Sequence, residues 1–182
     1  QLAFQITPSN DEAKGLTFSS QVKGGAIPKE YISGAEKGFE IAMKNGAYGF
    51  PLEALNVTIL DGSAHTVDSD AMSFEICAKR GFREAIRGAK VAILEPIMRV
   101  EIITPDEYVG SVSSDLNRRR AVVEQVEAKI AFQTIKALVP LAEMFGYVTA
   151  LRSLSSGRAN YSMEFHSYAE VPADIKEYIL NV

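Results

Sequence analysis

The spacing of hydrophobic positions in the first half of the chain predicts three strands. Apolar residues in extended segments occur at Leu2–Ile6 and Leu16–Val22, with a polar loop at 10–15 between them. Leu55, Val57 and Ile59 alternate with polar neighbours and form one face of a third strand.

Two amphipathic helices are predicted between and after these strands. The first begins at Pro28 and ends before Asn45-Gly46, and the second runs from about Ser69 to Ala89, with Asp68 or Ser69 as its N-cap. The apolar positions of the first helix are Ile32, Ala35, Phe39 and Ala42. Those of the second are Phe74, Ala78, Gly81, Phe82, Ala85 and Ala89. Cys77 falls on the apolar side, where a buried thiol is expected.

A row of basic residues lies opposite that apolar side of the second helix. Its members, the basic stripe, are Arg80, Arg83, Arg87 and Lys90. Their spacing of three, four and three residues places them on one side of the helix. A solvated face and a contact with RNA phosphates are both consistent with this pattern.

Beyond Pro96 the pattern predicts strand, helix, hairpin, helix and strand. Met98, Val100 and Ile102 alternate, Thr104–Glu107 reads as a capping box, and a helix follows. The hairpin strands are predicted at 121–127 and 131–139. The next helix starts at Pro140, with its inward positions at Leu141, Met144, Phe145, Val148 and Leu151. The last strand carries Tyr161, Met163 and Phe165.

These patterns define an α+β protein built of two α/β sandwich domains. The predicted order is ββαβα for residues 1–94 and βαββαβ for residues 95–182, and the second order is the ferredoxin-like arrangement. An RNA-recognition motif would need stacking aromatic residues on the third strand of this second domain. The segment 131–137 offers Phe132 alone.

Composition limits the class of protein without identifying it. The 182 residues carry a net charge of −4, with 47% hydrophobic and 23% charged residues, which are globular proportions. No apolar run approaches the ~20 residues of a membrane helix. One cysteine excludes an internal disulfide and suits the cytoplasm. Mild acidity argues against DNA binding. The chain starts at Gln1 and enters a strand without a leader, so we expect a piece of a longer protein.

The common catalytic motifs are missing from the sequence. It has no phosphate-binding P-loop, no dinucleotide fingerprint and no nucleophile elbow. Its two histidines lie in different halves, so a zinc site is not expected. His65 lies close to Asp68, and the two could form an acid–base pair, but nothing supplies a nucleophile or oxyanion donors. A surface histidine without a role is the alternative.

Several short segments together resemble bacterial translation elongation factor G in its fourth and fifth domains, over essentially the whole chain. In order, the segments are Lys23–Tyr31, Asp61–His65, Val67–Ser69, Leu94–Met98, Asp115–Arg119, Val139–Tyr147, Leu151–Ser153, Gly157–Arg158 and Tyr161–Phe165. Each segment alone is weakly specific, and the match rests on their shared order and spacing.

The resemblance implies a role in moving tRNA and mRNA through the ribosome. Members of this family are GTPases whose GTP and Mg²⁺ site lies in an N-terminal domain, so this chain itself is expected to hold no cofactor and to be no enzyme. The fourth domain is expected to contain a left-handed crossover and to reach the A-site tRNA and mRNA. The ferredoxin-like fifth domain is expected near the GTPase-associated ribosomal RNA. A cytoplasmic monomer that binds neither DNA nor membrane is also expected.

The resemblance assigns candidate site residues in both domains. His65 matches the family's histidine at the tip of the fourth domain, near the codon–anticodon duplex. The implied contact group at the tip is Gly24, Gly25, Ser63, Ala64, His65 and Thr66. The arginines of the second domain that could contact ribosomal RNA, or pair with local glutamates instead, are Arg118, Arg119, Arg120, Arg152 and Arg158. Glu143 is expected to compensate a helix dipole.

Departures from the family pattern leave alternatives open. Ala64, Thr66 and Ala121 stand where the family usually has tyrosine, aspartate and glycine, and an upstream stretch of the fourth domain is missing. A paralogue specialised for ribosome recycling or ribosomal protection, with an altered or absent GTPase, is therefore an alternative. So is a protein-interaction module of another class, whose binding would depend less on salt than RNA binding does.

Overall fold

A computed structural model describes residues 1–9, 15–46, 48–65 and 67–180 of the chain. Most of the loop predicted at 10–15 lies outside these residues. The chain divides into two compact units, residues 1–91 and 92–182. The strand that begins at Leu94 belongs to the second unit, whereas the sequence pattern placed the boundary after residue 94.

The first unit has the element order predicted from the sequence, with three strands and two helices. They are β1 (Leu2–Pro8), β2 (Leu16–Ser20), α1 (Lys29–Met43), β3 (Leu55–Gly62) and α2 (Ala71–Gly88). The strands form one sheet in the order β1-β3-β2. β1 is antiparallel to β3, and β2 is parallel to β3 with α1 as the connection.

The apolar face of this sheet packs against both helices. Phe4 lies opposite Ile59 in the register of β1 and β3, and Phe18 lies opposite Val57 in that of β2 and β3. Phe39 of α1 is fully buried over this face, and the centre of its ring is 4.8 Å from that of Phe4. Two-residue periodicity in the strands and helical periodicity in α1 therefore meet in one core.

Glycines let the two helices approach closely. A Cβ added to Gly34 would overlap the carbonyl oxygen of Ala71, and one added to Gly38 would overlap the backbone of Glu75 and the side chain of Ala78. From Gly34 to Gly38 on α1, the contact on α2 moves from Ala71 to Glu75 and Ala78, so α1 and α2 run in the same direction. Tyr31 and Phe74 stack near their first turns, with ring centres 5.4 Å apart.

The helix α2 differs from its prediction at both ends and at Cys77. Asp70, rather than Asp68 or Ser69, is the N-cap, and it forms a capping box with Ser73. The buried positions are Phe74, Ala78, Phe82 and Ile86, whereas Ala85, Ala89 and Cys77 are exposed. Because these buried residues are four positions apart, only a narrow strip of α2 contacts α1 and the sheet.

The second unit is ferredoxin-like, as predicted. Its elements are β4 (Leu94–Thr104), α3 (Val109–Arg118), β5 (Val122–Lys129), β6 (Phe132–Pro140), α4 (Tyr147–Leu154), β7 (Asn160–Glu170) and α5 (Ala173–Leu180). The strand order is β5-β6-β4-β7, and every neighbouring pair is antiparallel. One core contains Ile102, Leu116, Ile135, Tyr147 and Leu151, all at most 1% exposed.

Three local predictions in this unit are wrong. Thr104 is buried, and its hydroxyl donates to the carbonyl of Pro105 (3.4 Å) instead of capping a helix, because a 3₁₀ turn precedes α3. Phe145 and Val148 are exposed, because Gly146 (φ 72°) separates a 3₁₀ turn from α4 and rotates the helical face. The helix α5 was not predicted at all.

Candidate nucleic-acid interface

Two loops that the sequence singles out lie at one end of the first unit. β2 and β3 are parallel, so the segments that follow them begin at the same end of the sheet. Gly24 and Gly25 lie in the first segment, with φ of 67° and 70°, which L side chains rarely adopt. The segment at 63–70, here called the tip loop, follows β3. Ile27 packs on Gly62 at its base.

The backbone of the tip loop is held at both ends. The main chains of Gln1 and Ser63 exchange two hydrogen bonds, of 3.0 and 3.1 Å. The His65 amide donates to the Ser69 hydroxyl (2.8 Å), and the Ser69 amide donates to the His65 carbonyl (3.1 Å). Ala64 packs against the core of the unit. The loop is thereby fixed on rigid elements.

The His65 ring projects into solvent from this fixed backbone. Its side chain is 74% exposed, and its Nδ1 atom is 3.7 Å from a carboxylate oxygen of Asp68, itself 81% exposed. Such an exposed pair has no desolvated pocket around it in which proton transfer to a substrate could be favoured. Among the described residues, no group of three or more histidine, cysteine or acidic side chains could hold a metal ion.

The other predicted tip residues have different surroundings. Ser63 is exposed, while the methyl group of Ala64 is partly buried, so Ala64 serves the packing of the loop. Thr66 lies outside the described residues. The sequence reasoning missed Val67, which is 82% exposed. An aliphatic residue within an otherwise polar loop is the signal that could have identified it.

Both helices begin at the tip end of the unit. The positive ends of the α1 and α2 dipoles therefore lie behind the tip loop. At α2 this positive end is already balanced by Asp70, whose pKa is lowered because its carboxylate accepts the Ser73 amide (2.6 Å). Asp61 and Asp68 add further exposed carboxylates, whereas Lys23 and Lys29 add exposed cations at the same end of the unit. The tip therefore carries charges of both signs, and its carboxylates can accept hydrogen bonds from hydroxyl groups.

In the second unit, four of the five predicted arginines make ion pairs, and those of Arg119 and Arg120 are partly buried. Arg119 bonds Asp115 (2.7 Å), donates to the Glu143 carbonyl and lies 4.9 Å from the centre of the Tyr147 ring. Arg120 donates to both carboxylate oxygens of Glu95 (2.7 and 2.9 Å) and to Glu143 (2.9 Å). These arginines hold α3, β4 and the turn before α4 together.

Glu143 therefore has a different role from the predicted one. Its carboxylate accepts a hydrogen bond from Arg120, and its backbone carbonyl accepts one from Arg119. The pKa of Arg120 is raised, chiefly because its guanidinium bonds Glu95. Compensation of a helix dipole, as expected from the position of Glu143 in the sequence, is not needed to explain it.

The remaining three arginines are more exposed. The Arg118 side chain is 73% exposed, and its nearest contact with Asp115 is 3.6 Å. Arg158 pairs with Glu107, bonds the Tyr108 hydroxyl (3.0 Å) and lies over the Tyr108 ring. Arg152 is exposed on α4 and makes no ion pair with the described residues.

The sheet face of this unit is a mixed-charge surface. It surrounds a shallow cavity of about 510 Å³ lined by Arg99, Glu101, Lys136, Ser162, Met163 and Glu164. Lys136 pairs with Glu127 (3.0 Å), which raises the lysine pKa and lowers the glutamate pKa, and Arg99 pairs with Glu164 (3.4 Å). Paired carboxylates on this face disfavour an RNA-stacking platform.

Comparisons with known proteins agree in both units. The family model described as Elongation factor G, domain IV matches residues 1–90, and that described as Elongation factor G C-terminus matches residues 92–179. An elongation factor G from Cytophaga hutchinsonii is 51% identical over 180 residues, covering 98% of this chain and 26% of that protein. One from Amoebophilus asiaticus is 46% identical over 180 residues, covering 98% of this chain and 25% of that protein.

The fold agrees with a solved structure as well. A crystal structure of a Thermus thermophilus protein superposes with a TM-score of 0.91 and 35% identity, covering 99% of this chain and 27% of that one. The two units are thus the C-terminal domain pair of a translation elongation factor. The chain belongs to the elongation factor G family. It spans about a quarter of the length of the curated relatives it matches.

Among the described residues, no helix combines the length and apolar character that crossing a membrane requires.

Proposed function

We propose that this chain is the ribosome-engaging part of an elongation factor G that drives GTP-dependent translocation of tRNA and mRNA. The observation that carries the proposal is the placement of His65, whose exposed ring stands on a loop fixed by hydrogen bonds at both ends. Membership of the family and the match over both units support it.

The tip recognises RNA by its shape and by hydrogen bonds, and it takes part in no covalent reaction. The His65 ring has one donor and one acceptor nitrogen when neutral, and Ser63 has a hydroxyl that can donate and accept. Paired RNA presents 2′-hydroxyls in a wide, shallow groove, which proteins read through such contacts. The carboxylates of Asp61 and Asp68 can accept from the same hydroxyls. The rigid loop thus engages the A-site tRNA and mRNA and blocks their return.

The second unit holds the ribosome elsewhere. Arg118, Arg152 and Arg158 contact phosphates of the GTPase-associated ribosomal RNA, since their side chains are exposed. Arg119 and Arg120 shape that surface from within through their ion pairs.

The remaining functions belong to the part of the factor outside this chain. GTP and Mg²⁺ bind there, and this chain transmits the resulting movement to RNA. The factor works in the cytoplasm as a monomer, with the ribosome as its partner.

The test is the His65→Ala substitution in the full-length factor. Translocation, followed by the movement of fluorescent mRNA, should slow on the order of tenfold, the effect of about 1.4 kcal/mol. Ribosome-stimulated GTP hydrolysis should be retained, because the GTP site lies outside the chain. His166→Ala is the matched control, since this histidine lies in the second unit beside Arg99. Loss of hydrolysis with normal translocation would overturn the proposal.

A further inference from the structure

We propose that the outer face of α2 is a second RNA-binding surface, which holds the phosphate backbone of an RNA helix through the basic stripe. The inference rests on the proposed function, and it adds a contact separate from the tip loop. Arg80, Arg83 and Arg87 lie on the helix, and Lys90 follows its end at Gly88.

The stripe is exposed and its charges are uncompensated within the described residues. None of its four side chains makes an ion pair with them, and all four residues are exposed. Lys79, one position before Arg80, instead bonds Glu75 (2.9 Å) on the flank of the helix. Glu84 is the one acidic residue between positions 79 and 90, and it makes no ion pair with Arg80 or Arg87 within helical reach.

Stabilisation of the helix explains only part of the basic stripe. A cation in the last turn compensates the helix dipole, and this accounts for Arg87. The dipole effect falls off within one turn, so Arg80 and Arg83 gain little from it. A surface of unpaired cations is what a phosphate backbone requires.

The geometry separates this surface from the tip. At 1.5 Å per residue, Arg80 lies about 15 Å along the helix from Asp70, and Arg87 lies about 25 Å from it. The three arginines span about 10 Å of helix, enough to contact several phosphates of one strand. The stripe carries cations alone, whereas the tip carries charges of both signs, so the stripe offers the stronger attraction for phosphates.

Apolar residues on the same face raise the alternative of a protein partner. Met72 and Ile76 are 67% and 46% exposed and lie nearer the tip on this face. Two separate side chains do not form a large apolar patch, whereas the cations extend over the rest of the face. The cations therefore favour RNA over a protein partner that would bind through apolar contacts.

The test measures binding of the 182-residue chain to purified bacterial 70S ribosomes and to a 20-base-pair RNA duplex between 50 and 200 mM KCl. The Arg80→Gln/Arg83→Gln/Arg87→Gln variant should reduce the slope of log affinity against log salt by about 2 to 3 on both probes. Lys44→Gln, at an exposed cation at the end of α1, is the control for loss of one positive charge outside the stripe and should leave the slope unchanged.

Two further variants sharpen the test. Glu84→Gln should strengthen binding, since it removes the one carboxylate near the stripe, and Ile76→Ser should leave binding unchanged. An unchanged slope in the triple variant, or an equal loss in Lys44→Gln, would overturn the inference. A triple variant that loses ribosome binding but keeps duplex binding, or a loss with Ile76→Ser, would instead indicate a protein partner and also overturn it.

The outcome for the proposed function is read separately. If the wild-type chain binds ribosomes and His65→Ala alone weakens binding, the inference fails and the proposed function stands. If the wild-type chain does not bind ribosomes even at 50 mM KCl, the inference is overturned, and the proposed function is decided by the His65→Ala substitution in the full-length factor.

Discussion

Arg120 and Glu95 form a bidentate ion pair, in which Nη1 and Nη2 of the guanidinium donate to the two carboxylate oxygens at 2.7 and 2.9 Å. The side chains are 27% and 12% exposed, so the pair is partly shielded from water. It joins the end of α3 to the start of β4, and Glu143 extends it to the turn before α4. The second unit thus depends on an arginine that the sequence pattern presents as a candidate RNA contact.

Loss of this pair should destabilise the second unit. Arg120→Met should lower its free energy of unfolding by about 2 kcal/mol, because two charged hydrogen-bond acceptors lose their donor. Arg118→Met removes an exposed arginine two positions earlier and should change it by less than about 0.5 kcal/mol. Urea unfolding followed by circular dichroism measures both. Equal effects of the two variants would contradict a structural role for Arg120.

The N-cap of α2 should make the stability of the first unit depend on pH. The pKa of Asp70 is lower in the folded chain than in the unfolded one, chiefly because its carboxylate accepts the Ser73 amide. Its contribution is therefore complete above the ordinary aspartate pKa of about 3.9 and is lost as the pH falls through the lower folded value.

Asp70→Asn isolates this effect, since the amide can still cap but does not titrate. The difference in urea midpoint between the wild-type chain and this variant should therefore change between pH 7 and pH 3, with the wild-type chain relatively less stable at pH 3. A difference that stays constant over this range would show that Asp70 does not titrate with folding.

Close packing of α1 on α2 should not tolerate a methyl group at Gly34. The added Cβ would overlap the carbonyl oxygen of Ala71, so Gly34→Ala should lower the free energy of unfolding by about 2 kcal/mol through overpacking. Gly88→Ala at the end of α2 meets open space and should be neutral or raise stability by up to about 1 kcal/mol. Thermal unfolding of both variants gives the comparison, and the same sign for both would contradict it.

The exposed thiol of Cys77 should react in the folded chain. Because Cys77 lies outside the core of α2, a thiol reagent such as DTNB should modify it fully without denaturant. Its rate should be close to that of the chain in urea. A rate that rises steeply only on unfolding would indicate burial and would return Cys77 to the apolar side on which the sequence pattern placed it.

The sequence by itself determined the order of elements in both units, except for the helix α5. Periods of two and of about 3.6 residues are local properties, and so are the glycines at 24 and 25, whose positive φ values mark a turn. The sequence also singled out His65, because this histidine lies in a predicted strand-to-helix loop, within a segment that resembles elongation factor G.

Only the tertiary structure decided which charges are free. Arg120 looks like Arg118 in the sequence, but its partners Glu95 and Glu143 lie more than twenty residues away and meet it only after folding. Arg119 has a local partner in Asp115, and folding adds its bond to the distant Glu143 carbonyl. Likewise, Cys77 and Ala85 are exposed because α1 and the sheet cover a narrower strip of α2 than its helical pattern indicates. Burial and long-range ion pairing depend on which segments distant in the sequence pack together, and the spacing of neighbouring residues does not determine that packing.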